Sequence, residues 1–555
     1  MVGDQQPVGG WKQKIQVWLP LLLASVLVAG MLVGMRLQSA APAVMVQPIE
    51  SSENAGSQGR IEELIRYIEA KYVDDVDRER LIRKAIESML GELDPHSNYI
   101  PAEELKEVTE QLEGNFDGIG VEFMMLEDTI VVVTPLAGGP AASAGVMAGD
   151  KIVMIGDSAV AGNKRSNRDI TNLLRGAGGT QVTIGVKRNG VKELLKFTIT
   201  RDKIPMNSVD VSYMLNDKIG YIKINRFSAN TYDEFVQALE KLVETRGMED
   251  LVLDLRHNPG GYLQQAANML SQLFNEKDKL LVYTEGRSVA RTEYKTTGRS
   301  FYDIKDVVVL IDEGSASASE IMAGAIQDHD RGVIIGRRSF GKGLVQEQYP
   351  LRDGSALRLT VARYYTPSGR SIQKPYENAS SYEQELDERF ASGELAEGEK
   401  APVLDTTRFY TAGGHVVYGG GGIIPDIIVP LDTNLYSSVA SELRQFLPNF
   451  VFRHIEEHPE LKRRYNSQRF AEQYRVDEAM LGRFIAYARN RGFKKAESTI
   501  DARLRNRLSL EIKATLGRQL FNDEVYYTIL NKEDDIVRRA LNVLGQPNPL
   551  AAARQ

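Results

Sequence analysis

VVVLIDEGSASASEIMAGAI, residues 307–326, runs from five apolar β-formers through a turn of acidic and small residues into a second apolar stretch. Residues 307–311 predict a buried strand, and Ile321, Met322, Ala325 and Ile326 predict the helix that follows it. The same alternation continues upstream. Strands at 219–224 and 251–255 are separated by amphipathic helices near 232–245 and 263–274. This order predicts an α/β domain with parallel strand pairs.

Further upstream the pattern changes. Residues 114–201 read as short β runs between glycine-rich turns, with strands at 129–135, 151–155 and 181–187 and one helix at 167–174. From 61 to 112 apolar residues recur at helical spacing, as in Leu64, Ile68, Tyr72, Leu81, Ile86 and Leu90. Residues 37–59, rich in Ala, Ser, Pro and Gln, read as a flexible tether. The acidic stretch 377–400 has no clear period and reads as a surface insertion, with a lid as the alternative. After Pro430 the chain is helical in pattern and rich in Arg and Glu, a sign of solvated helix faces without chemistry. The expected organisation is therefore 1–36 tail and anchor, 37–59 linker, 60–113 helical region, 114–203 β-rich domain, 204–432 α/β core and 433–555 C-terminal helical region.

At 555 residues the chain is too long for one core, and roughly two to four domains are expected. The net charge of −7 argues against a nucleic-acid footprint, which needs a clustered basic face. With no cysteine, disulfides, thiolate nucleophiles and Cys-ligated zinc are excluded. The 21 residues from 15 to 35 are apolar except for Gln16 and Ser25. As a helix they would span about 31 Å, close to the bilayer core. Lys12 and Lys14 before the run, with only Arg36 close behind it, predict a cytoplasmic N-terminus and an exported, periplasmic body held at the cell membrane by a single span. Cleavage after Ser39, Ala40 and Ala41 is the alternative, and it leaves the body exported as well.

Two segments could carry chemistry. In the 314–320 segment, Ser317 stands at a strand-to-helix turn, where free N–H groups and the positive helix end can meet an oxyanion. Ser317 followed by Glu320 is equally a helix capping box. The second segment, Gly336 to Gly343, resembles a phosphate loop, but Gly343 occupies the position where a hydroxyl should bind magnesium. Lys342 between two glycines could instead be buried, which would lower its pKa toward the range of a general base. Of the six histidines only His257 and His329 fall near these segments. His329 lies a helix length from Ser317, about 15 Å, too far to take its proton. No HExxH or clustered Cys/His spacing is found, which disfavours a zinc peptidase.

Together these blocks resemble the carboxyl-terminal processing peptidases, the Ser/Lys tail-specific proteases. The resemblance rests on Leu93-Asp94-Pro95-His96-Ser97, on Asp254 to Gly261, on the 314–320 segment, on Phe340 to Gly343 with Gln346, and on Gly419 to Asp426. It implies a crotonase/ClpP-like sheet-and-helix core. It makes Ser317, 25 residues before Lys342, the nucleophile and Lys342 the base, with Gln346 orienting the lysine. Ser315 and Ser319 become structural, and the backbone N–H of Ala318 with that of Gly260 or Gly261 forms the oxyanion hole. No metal, nucleotide or other cofactor is implied. His257 departs from the family block at a variable place.

The β-rich segment resembles a PDZ domain. Gly118, Ile119, Gly120, Val121 and Phe123 would form its carboxylate-binding loop and strand, with Leu174 lining an apolar pocket and Arg175 sensing the loaded site. The partners implied are proteins or peptides with exposed apolar C-termini, with the terminal helical regions serving dimerisation or adaptor docking. A non-catalytic PDZ scaffold is the alternative, and the intact Ser, Lys and Gln set weighs against it. A lipid- or carbohydrate-processing serine hydrolase fits worse, because PDZ-type capture suits peptide carboxylates.

Overall fold

The computed structural model describes residues 59–376, 379–397, 403–433, 437–496 and 499–554. The predicted membrane span and most of the tether lie outside them. Among the described residues no helix is long and apolar enough to cross a membrane. The chain divides into one unit ending at Lys84 and one beginning at Ala85. In the first, the helix Arg60–Lys71 presents Glu62 and Glu69 to Arg78 at 2.8 and 2.9 Å.

The core of the second unit is a six-stranded sheet ordered Val209–Met214, Ile219–Ile224, Asp250–Asp254, Val307–Ile311, Val333–Gly336 and Ile427–Ile428. The first pair is antiparallel and the others are parallel, as the βαβ alternation requires. Val307–Ile311 is buried at every position because helices cover both faces of the sheet. On one face lie Thr231–Arg246, Leu263–Gln272 and Ala318–Asp328, contributing Phe235, Leu239, Leu270 and Met322 to the core. On the other lies Asp535–Leu544, through Ile536, Val537 and Ala540. This late helix is pinned by Arg256, which bonds Asp534 at 2.8 Å and the fully buried Asp254. The end of the chain thus forms part of the cover of the α/β core, although its polar pattern reads as a separate helical region.

A second sheet joins Asn98–Ile100, Ala356–Tyr365, Lys277–Glu285 and Thr292–Thr297, with Leu344–Pro350 paired to Ala356–Tyr365. The strand Asn98–Ile100 lies in a stretch whose spacing predicts only helix. Three residues are too few to carry a period of their own, and the strand exists through its partner. The β-rich segment forms a separate sheet packed on the helix Asn167–Leu174 around Ile130, Ile152, Ile170 and Ile184. Its ends pair with each other, Asn115–Gly118 against Asp202–Pro205, so the segment enters and leaves through one ribbon.

The stretch expected to be a loop contains the helices Ala379–Ala391 and Glu394–Glu397. Its acidic side chains Glu385 and Glu394 are paired, and one of their partners, Arg338, is far away in sequence. Glu385 bonds Lys374 at 2.6 Å, and Glu394 bonds Arg338 at 2.8 Å and Arg389 at 2.9 Å. Neutralised in this way, Glu394, Arg338, Lys374 and Arg389 are accommodated at a nearly water-free surface.

Candidate active site

Ser317 precedes the helix Ala318–Asp328 with φ 54° and ψ −112°. A β-carbon at positive φ costs about 1–3 kcal/mol and persists only where surrounding bonds enforce it. Here they do. Ser315 Oγ donates to Leu255 O at 2.8 Å and Ser319 Oγ to Asn258 O at 2.9 Å, so the two flanking serines anchor the turn from beneath. Ala316 N–H donates to Asn258 O at 3.0 Å.

Glu320 joins this turn to the lysine loop. One of its carboxylate oxygens accepts the N–H groups of Ser317 and Lys342, both at 2.8 Å. The other accepts Ser339 Oγ at 2.5 Å and Gly341 N–H at 2.7 Å. The carboxylate is fully buried, and that burial pushes its pKa up to about 7. Tyr364 adds a second link, its hydroxyl lying 3.1 Å from Ser317 O and 2.6 Å from Lys342 O. The residue readable only as a helix cap therefore holds the backbones of nucleophile and base candidates to a single carboxylate.

Lys342 Nζ donates to Gln346 Oε1 at 3.0 Å, and Gln346 Nε2 donates to His96 O at 2.5 Å. A register shift between Val345 and Gln346 in their strand re-aims the glutamine. His96 O is itself fixed by the turn Asp94 makes. The Asp94 carboxylate accepts the N–H groups of His96 and Ser97, both at 2.8 Å, and the Ser97 hydroxyl at 2.6 Å. His96 is pushed down to about 4 by burial first and then by the charge of Lys342, so it stays neutral beside the lysine. Lys342 is held below the ordinary lysine value by burial and by Arg358, against the opposing pull of Glu320 and Asp94.

The glycine pair completes the site. A β-carbon on Gly260 would lie 2.8 Å from Ser317 Cβ and 2.9 Å from Ala318 N, which places this loop directly against the serine. Gly260 N–H is already committed to Asn258 Oδ1 at 2.9 Å. Ala318 N–H, at the first helical position, has no acceptor within its own helix. Ser317, Ala318, Gly260, Gly261, Lys342 and Gln346 thus come together, while no hydrogen bond joins Ser317 Oγ to Lys342 Nζ among the described residues.

The sequence profile of peptidase family S41 matches residues 218–377, and that of the PDZ domain matches residues 118–199. A carboxy-terminal-processing protease of Bartonella bacilliformis is 40% identical over 344 residues, which cover 60% of this chain and 77% of that protein. The chain belongs to the carboxy-terminal processing proteases of peptidase family S41. It is accordingly a serine-type peptidase. The carboxy-terminal processing protease CtpB of Bacillus subtilis is 37% identical over 58% of this chain and 67% of its own. A photosystem II D1 C-terminal processing protease of known structure is 33% identical, over 56% of this chain and 83% of that one, with a TM-score of 0.32. A family of unknown function matches residues 436–522.

In this S41 peptidase the PDZ residues form a second cluster. Ile119 and Leu174 are buried, and Val121 and Phe123 pack half-buried against the same core. Gly120 has φ 71° and stands beside Leu136 and Pro140. Arg175 turns away from that core, bonding Glu110 at 3.0 Å and lying 4.3 Å above the Phe116 ring. His257 Nδ1 lies 3.0 Å from the Asp312 carboxylate. His329 caps the far end of the Ser317 helix and lies 2.6 Å from Leu280 O. Glu320 and Tyr364 escape sequence reasoning as site residues because their partners in the lysine loop and the serine turn are remote, whereas Asp94 is legible as part of its motif and acts through local bonds to His96 and Ser97. For Glu320 the trace in the sequence is its place three residues after the serine.

Proposed function

We propose that this chain is an exported, membrane-tethered endopeptidase that recruits protein C-termini through its PDZ domain and cleaves them with a Ser317/Lys342 dyad. The observation that carries the reading is the single Glu320 carboxylate bonded to the N–H groups of both residues at 2.8 Å. Neutral Lys342 Nζ takes the proton of Ser317 Oγ as the oxygen adds to the peptide carbonyl. The oxyanion is met by Ala318 N–H and Gly261 N–H, since Gly260 N–H is occupied. Lys342 then gives its proton to the leaving amine as the C–N bond breaks, which leaves an acyl ester on Ser317. Water adds to that ester, Lys342 takes its proton, and Ser317 Oγ leaves and is reprotonated.

Gln346 keeps the Lys342 amine pointed at the serine side of the loop. The PDZ loop at Gly118 to Phe123 takes the substrate carboxylate and pairs the tail as an added strand. We read the six-stranded sheet with helices on both faces as a crotonase/ClpP-like core, and residues 15–35 as the membrane anchor. The test is digestion of an unstructured protein ending in apolar residues, offered as the free acid and as the C-terminal amide. Faster cleavage of the free acid, with no cleavage by Ser317→Ala, supports the reading. Equal rates for acid and amide would remove the recruitment step, and cleavage by Ser317→Ala would remove the nucleophile.

A further inference from the structure

The helix Leu447–Glu457 and its cap His458 carry the sequence HIEEH at 454–458. The spacing is the reverse of HExxH. Residues four apart share a helix face. Here the ligand atoms of His454, Glu457 and His458 lie within 4.8 Å of one another. The two imidazoles approach to 4.4 Å between ring centroids.

Two neighbouring features favour a cation at this place. The three side chains gather at the helix C-terminus, the negative end of its dipole. Glu460 Oε1 lies 3.2 Å from His458 Nδ1. A carboxylate there keeps the proton on Nδ1 and leaves the Nε2 lone pair for a metal, the usual outer partner of a metal-bound histidine.

We infer that His454, Glu457 and His458 form a site for a divalent transition ion of the zinc class, distinct from the peptidase site. Two imidazoles and one carboxylate, with a fourth position open to water, match the preference of zinc, whereas calcium and magnesium take oxygen ligands. The site adjoins the PDZ contact. On the same helix Phe452 packs on Leu126 and Val131, Arg453 bonds Glu127, and Glu456 reaches Lys151 at 3.8 Å. A cavity of about 390 Å³ separates His458 and Ile455 from Gly149 and Arg188 of the PDZ domain. An ion bound here fixes the helix end on which that contact rests.

The experiment is equilibrium dialysis of the full chain against Zn²⁺, after stripping with EDTA and removal of the chelator. The expected result is one Zn²⁺ retained per chain, none retained by His458→Gln, and affinity weakened about tenfold or more by Glu460→Gln. Ca²⁺ in place of Zn²⁺ should not be retained at the same concentration. Because His454 is buried and its replacement could disturb folding, the half-exposed His458 and exposed Glu457 carry the test, with Glu457→Gln also weakening uptake. Absence of stoichiometric uptake by the wild type, or equal uptake by His458→Gln, overturns the inference.

Discussion

Replacing Glu320 by Gln tests the link between the two halves of the proposed dyad. The carboxylate accepts four hydrogen bonds, two on each oxygen. An amide has one oxygen, so either Ser317 and Lys342 or Ser339 and Gly341 must face an NH₂ group. Two bonds to a charged acceptor are lost, at about 1.5–3 kcal/mol each, or about 3–6 kcal/mol together. If the lower figure is felt in the transition state, kcat falls more than about a hundredfold. The pH dependence supplies a second signature. With a folded pKa of about 7, raised from 4.5, Glu320 holds its proton more tightly in the native state than in the unfolded chain. Its contribution is present below about pH 4.5 and is lost as pH rises through about 7, a change of about 3 kcal/mol. Urea unfolding of wild type and Glu320→Gln between those limits, with kcat on a peptide substrate, reads both effects. A folded variant with kcat within threefold of wild type and the same pH slope would refute the role given to Glu320.

Three further outcomes follow from the site. Arg358 depresses the Lys342 pKa, and only the neutral amine accepts a proton, so Arg358→Met should move the rising limb of kcat/KM to higher pH and lower the rate near neutrality; an unmoved limb contradicts the assignment. Gln346→Leu removes the acceptor for Lys342 Nζ and leaves His96 O unpaired, a change of about 1–3 kcal/mol that should lower kcat roughly tenfold or more while a PDZ-bound peptide keeps its affinity. Gly260→Ala places a β-carbon 2.7 Å from Ala316 O and 2.8 Å from Ser317 Cβ at φ 96°, and should lower kcat about a hundredfold by displacing the serine turn, again with tail binding measured by fluorescence anisotropy unchanged.

The parts of this chain that sequence reading recovers are those in which local pattern and tertiary environment agree. Val307–Ile311 and Ile219–Ile224 form where their apolar runs place them, because the sheet buries both of their faces, and Asn167–Leu174 forms where its spacing puts Ile170 and Leu174 on one buried face. Residues 98–100 and 379–397 differ from their sequence pattern, since a three-residue strand depends on its partner and the acidic helices depend on cations outside them, Lys374 for Glu385 and Arg338 for Glu394. At the site, the family resemblance singles out Ser317 and Lys342, whereas the bond from Gly260 N–H to the Asn258 side chain, which favours Gly261 in the proposed oxyanion hole, is visible only in the folded loop. The block 93–97 is legible as a motif, and its role, presenting His96 O to Gln346, is visible only once strand 344–350 lies beside it.

The most direct test is mass spectrometry of an unstructured protein with an apolar C-terminus after incubation with wild type, Ser317→Ala and Lys342→Ala, without ATP and with EDTA. The dyad reading predicts peptide products from the wild type alone, at a rate that rises with pH and levels off below 10.5, the ordinary lysine value. Products from Lys342→Ala at the wild-type rate would contradict it.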